Sequence, residues 1–170
     1  QAIASAMRKI PNAHIVLKLR PGPNRDPFLL ATIASLFKGV SYSIVQFEPL
    51  TDLFHRADVV ISGYSTAALE ALQCGKPLVY VGLCPLERMT GLHHFLPYAK
   101  EGAVRLASSE EELSHMLREL ANDPGARQRL SENARNFLAR EYAFDGEASR
   151  RAAEFITSLV SKEPLQGLQC

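Results

Sequence analysis

The 170-residue sequence has no uninterrupted apolar run approaching the roughly 20 residues that a membrane-spanning helix needs. Its opening, Gln1-Ala2-Ile3, lacks the basic start of a signal peptide. Neither a membrane span nor export is expected, and a cytoplasmic location is. Cysteine is scarce: Cys74, Cys84 and Cys170 are an odd set without C-x-x-C spacing. That argues against a disulfide framework and a zinc site, and it suits reducing surroundings. Neither sign of charge dominates, with 19 Lys plus Arg against 18 Asp plus Glu and no long basic tract, so nothing calls for nucleic acid as a partner. A small anionic ligand remains open, because it needs only a local site. Internal repeats, low-complexity tracts and long linkers are also missing. Neither a metal nor a cofactor is expected.

What is present is 46% hydrophobic residues, enough for the core of one ordinary domain, so residues 1–170 are read as a single domain. Ile3, Ala6, Met7 and Ile10 recur at helical spacing, and Pro11-Asn12 ends that pattern before a strand from His14 to Leu19. Pro27 to Phe37 reads as a helix and the alternating run Tyr42 to Phe47 as a strand. A short helix from Leu50 to Ala57, a buried strand from Asp58 to Ser62 and a helix from Thr66 to Cys74, closed by Gly75 and Pro77, come next. Leu78 to Val81 is the following strand, and after a loop rich in Pro, Gly and His another is expected from Ala103 to Leu106. Ser109-x-x-Glu112 is a capping-box start to a helix bearing Leu113, Met116, Leu117 and Leu120. Two amphipathic helices, marked by Leu130 to Leu138 and by Ala152 to Leu159, close the chain. Strands alternating with helices, too far apart for hairpins, imply right-handed crossovers and a parallel sheet covered on both faces, an α/β Rossmann-like domain. Ligands of such sheets bind beyond the carboxyl ends of the strands, so the residues after Leu19, Phe47, Ser62 and Val81 are where chemistry is sought.

Ser62-Gly63-Tyr64-Ser65-Thr66 leads from a buried strand into a helix, where unpaired amides and the positive helix end favour an anion. Gly63 allows close backbone approach, and the hydroxyls of Ser65 and Thr66 can donate to phosphate oxygens or simply cap the helix. Glu70 lies one turn further on, among Ala67, Ala68, Leu69, Ala71 and Leu72. A ribose hydroxyl pair would give it a partner, as acidic residues do in other nucleotide-binding folds, and water is the plain alternative. At the end of the first strand, Lys18 and Arg20 stand at alternate positions and leave the same face, suited to a diphosphate or simply solvated. His93 and His94 follow the strand after the Glu70 helix. As neighbours they point different ways, which disfavours a shared metal site and leaves one of them, His94, as a candidate sugar contact.

The segment from Ala57 to Val79, with Ser62-Gly63-Tyr64-Ser65-Thr66, Glu70 and Gly75-Lys76-Pro77, resembles the donor-site segment of GT-B-type glycosyltransferases. That resemblance implies one half of a GT-B fold, with Ser65 and Thr66 on the donor phosphates and Glu70 on the ribose. Position 63 is Gly where the best-known retaining subgroup has a second acidic residue. Lys18-Leu19-Arg20-Pro21-Gly22 is similar to the Lys-x-His-Pro signature of bacterial capsule and teichoic-acid polymer transferases, with Arg20 in place of His. The replacement keeps a cation but removes a group that titrates near neutrality. Phe47 to Phe54 resembles the stretch that contacts the base, with Leu50 and the main chain near Phe47 as candidates.

The resemblance covers roughly residues 1–160 and implies a fragment: an amino-terminal acceptor domain and the first strand would be absent. The implied partner is a nucleotide-sugar donor, UDP-, GDP- or CMP-linked. The implied function is transfer to a glycan or lipid-linked acceptor in polysaccharide biosynthesis, with peripheral membrane association through the full-length enzyme. The fragment alone is expected to be inactive, and no catalytic residue is assigned. Two other readings stay open: half of a non-hydrolysing sugar-nucleotide 2-epimerase, and a non-catalytic nucleotide-binding module.

Overall fold

A computed structural model describes residues 1–22, 26–83 and 95–162, with residues 161 and 162 described by backbone alone. The chain divides into two compact units, Gln1–Phe137 and Leu138–Cys170.

The first unit opens with α1 (Ala2–Met7), β1 (His14–Lys18), α2 (Pro27–Leu36), β2 (Ser41–Val45), α3 (Leu50–Arg56) and β3 (Val60–Ser62). It continues with α4 (Ala67–Gln73), β4 (Leu78–Val81), a helix whose described part, here α5, covers residues 95–100, β5 (Arg105–Ala107) and α6 (Glu110–Asn122). The helix α7 (Pro124–Glu141) runs from this unit into the second, which holds α8 (Ala148–Lys162).

Every ladder among the described residues is parallel. β1 pairs with β2, and β3, β4 and β5 form a second set in that order. Parallel neighbours need a crossover, and the intervening helices supply it, so the chain is a Rossmann-like α/β fold with parallel sheets flanked by helices. The single sheet expected from the alternation is met as two hydrogen-bonded sets.

The main core lies on the second set. All four residues of β4 are buried. Val79, Val81 and Ala107 pack with Ala6 of α1, with Leu113, Leu117 and Leu120 of α6, and with Ala126 and Leu130 of α7. Side chains alternate along a strand, so Leu78 and Tyr80 face the other way, where Tyr80 meets Phe95 at 4.8 Å between ring centroids. Phe95 and Tyr98 (5.6 Å), then Tyr98 and Phe137 (4.4 Å), extend this aromatic chain through α5 to α7. The first set has a smaller core: Ala4, Ile33 and Phe37, flanked by Ile15, Leu17, Leu19, Tyr42 and Ile44. Its opposite face carries the half-exposed Val16, and His14, whose two ring nitrogens lie 2.8 and 3.0 Å from the hydroxyls of Ser41 and Ser43.

Local signals explain the helix ends. Gly75, at φ +69°, closes α4 with two bonds, its own N–H to Leu72 O and that of Lys76 to Ala71 O, the paired closure that a left-handed residue permits. Gly102, at φ +66°, closes α5 in the same way, with Gly102 N to Ala99 O and Ala103 N to Tyr98 O. Ser109 Oγ accepts from Glu112 N, while the Glu112 carboxylate takes the N–H of Ser108 rather than that of Ser109, a capping box displaced by one residue. In the second unit, Arg151 pairs with Asp145 and Arg150 with Glu147 and Glu154 around the start of α8, and Phe155, Ile156, Leu159 and Val160 are exposed.

Candidate functional site

Two corners lie at the carboxyl ends of strands, where a Rossmann-like fold holds ligands. The first ends β1 and β2. Leu19 N donates to Val45 O (2.9 Å), carrying the ladder one step beyond Lys18. The Lys18 ammonium donates to the main-chain oxygens of Gln46 (2.5 Å) and Leu19 (3.1 Å). An ammonium has three N–H donors, so one remains for an anion. Gln46 is buried, and its Nε2 donates to Arg20 O (3.2 Å) and Gly22 O (3.3 Å). Arg20 itself is exposed, with no partner for its guanidinium among the described residues.

Gln46 was not singled out from the sequence. The signal was there: Tyr42 and Ile44 face the small core, and a period of two carries the inward series to Gln46 and turns Phe47, 74% exposed, outward.

The second corner joins β3 to α4. The Ser62 hydroxyl donates to Gly63 O (3.0 Å), and Ser65 Oγ accepts from Ala67 N (3.3 Å). Thr66 already has helical angles and makes no side-chain cap bond, so Ser65 is the residue that caps the helix. Ser65 and Thr66 are both exposed, and a hydroxyl that accepts one bond keeps its own proton to donate. Glu70 is exposed too, and its carboxylate has no hydrogen bond or ion pair among the described residues. Ala68, Ala71 and Leu72, on the other side of α4, are buried, which fixes the face on which Glu70 is presented. Lys76 does not join this corner. Its ammonium donates to His55 O (3.2 Å), an end carbonyl of α3, and so serves as a helix cap.

The structure thus places Lys18 and Arg20 at one corner and Gly63, Ser65, Thr66 and Glu70 at the other, while His94 lies outside the described residues. Among those residues, no group of three or more His, Cys, Asp or Glu side chains is placed to hold a metal ion, and no helix is long and apolar enough to cross a membrane.

No protein-family model matches the sequence, and no curated protein matches it. Solved structures do. A mutant O-GlcNAc transferase of Thermobaculum terrenum superposes with a TM-score of 0.65 at 22% identity, over 92% of this chain. The match covers 32% of that protein, so this chain spans about a third of its length. The likeness supports a GT-B-like fold, shared with a glycosyltransferase.

Proposed function

We propose that this chain is the donor-binding part of a GT-B-type glycosyltransferase of the kind that builds bacterial surface polysaccharide. It would hold a nucleotide-activated sugar, UDP-, GDP- or CMP-linked, for transfer to a glycan or lipid-linked acceptor. In this reading Gly63 gives the donor phosphates close access to the main chain, Ser65 and Thr66 donate to them, and Glu70 accepts from the ribose hydroxyls. Lys18 and Arg20 meet the negative charge that grows on the departing nucleotide as the bond to the sugar breaks. His94 is assigned to the sugar. The acceptor, and a base to take its proton, would come from an amino-terminal domain outside this chain, and the full-length enzyme would associate peripherally with the membrane surface.

The observation that carries the proposal is Glu70. A carboxylate presented by a packed helix, one turn beyond two exposed hydroxyls and unpaired among the described residues, is an acceptor awaiting a donor pair. The shared fold supports the same reading.

Calorimetric titration with UDP-, GDP-, CMP- and ADP-linked sugars tests it. Binding of one base class, weakened in Glu70→Ala, is the expected result. Indifference to all four would remove the proposal in favour of a non-catalytic module, and exclusive selection of UDP-N-acetylglucosamine would favour half of a 2-epimerase.

A further inference from the structure

Gln46 is one of two buried polar side chains among the described residues, the other being Ser114. Burying an amide is costly unless its donors are used, and Gln46 Nε2 donates to one stretch of main chain, at the carbonyls of Arg20 and Gly22. Its own main-chain oxygen accepts from the Lys18 ammonium. One residue at β2's exit therefore meets both neighbours on the adjacent strand end: its main-chain oxygen, as any residue there would supply, accepts from the Lys18 ammonium, and its side-chain amide holds the main chain of Arg20. A loop that merely needed solvation would not require a buried amide. A loop that must present an arginine from a fixed place does, because main chain held in advance has less freedom to lose when the side chain it carries meets an anion.

We propose that Gln46 is a positioning residue whose side-chain amide presets the main chain carrying Arg20 for the phosphates of the bound nucleotide, an inference that rests on the donor-binding reading of this edge. The test is titration of the chain with UDP and with GDP, each against its parent nucleoside. Gln46→Met keeps length and bulk but cannot donate. It should weaken the preferred diphosphate about tenfold and its nucleoside by less than about twofold, as expected for displaced charge-assisted bonds. In an Arg20→Ala background the same substitution should cost much less, because the group it positions is gone.

Thermal melts establish that each variant is folded, and Gln46→Glu, similar in size and equally unable to donate from that atom, serves if the Met variant is not. Independently, in the wild-type chain the Gln46 side-chain amide resonance should shift on adding the diphosphate and stay put with the nucleoside. Equal losses for both ligands, additive losses with Arg20→Ala, or an amide signal blind to the diphosphate would each overturn the positioning role. If those results came while Glu70→Ala still lost affinity, the donor reading would stand. A wild-type chain that binds neither diphosphate overturns both.

Discussion

The two sets of strands divide the work unevenly. The β3–β4–β5 set is buried through β4 and packed on both faces, yet its corner leaves Ser65, Thr66 and Glu70 facing outward. Among the described residues the β1–β2 set packs on three buried core residues, and its corner is laced by Lys18 and Gln46 to the main chain. A ladder with a deep core needs no help from the side chains at its tip, which frees them for a ligand. A ladder with a thin core draws on its tip residues for structure, so those groups are held in place before any ligand arrives.

The sharpest way to break this contrast is to attack the deep core. Phe95→Ala removes the middle of the chain linking Tyr80 and Tyr98, and should lower unfolding free energy by about 3–5 kcal/mol, the range for large-to-small changes in a packed interior. Denaturant melts would measure it, and a loss under about 1 kcal/mol would mean that the β4 side is no better packed than the other. Next comes Glu70→Ala, expected to weaken nucleoside-diphosphate binding by about 1–3 kcal/mol with unchanged melting, since the carboxylate has no hydrogen bond or ion pair among the described residues. Lys18→Met should behave differently, lowering stability by about 1 kcal/mol as well as diphosphate affinity, because it strips partners from two carbonyls. Equal melting of the Glu70 and Lys18 variants would erase the distinction between the corners.

Gly75→Ala forces a side chain into a left-handed conformation at the close of α4 and should cost about 1 kcal/mol by the same melts. The smallest effect is acidic. The Asp123 carboxyl is held below its ordinary value, first by the amide of Ala126 and also by Arg129, at the start of α7. A carboxylate whose folded value is depressed contributes stability that is present above its unfolded value and lost as pH falls through the folded one. The helix start should therefore loosen below about pH 4. Asp123→Asn still accepts the amide bond without titrating, so the pH dependence of its melting should be flatter than that of the wild type in that window.

Most of the fold was legible because periodicity and punctuation agreed. The stop at Pro11-Asn12 marked the approach to β1, period two marked β2, Ser109 and Glu112 marked the start of α6, and Gly75 marked the end of α4. Boundaries drifted where short elements meet bends. The strand expected from Asp58 starts at Val60, and the one expected from Ala103 to Leu106 runs from Arg105 to Ala107. The helix at 95–100 was not expected, because Pro97 reads as a breaker, although Phe95 and Tyr98 lie three apart and both are buried.

At the site, residue types pointed to the two corners, and their surroundings did not. Nothing in Lys18-Leu19-Arg20 says that the lysine already donates to two carbonyls. Nor does Gln46, by its type, announce a buried peg. Such roles depend on which main-chain groups a crossover leaves without partners, and that is settled only when strands distant in sequence meet.

The parallel ladders bear on how quickly the molecule reaches its native state. His14 and Ser41, opposite one another in β1 and β2, are 27 positions apart along the chain. No strand can find its neighbour through a tight turn, and each pairing must first close a long loop whose entropy is recovered only afterwards. Refolding should be slow beside that of a helical protein of equal length, and the bare strands would be exposed to self-association while they wait.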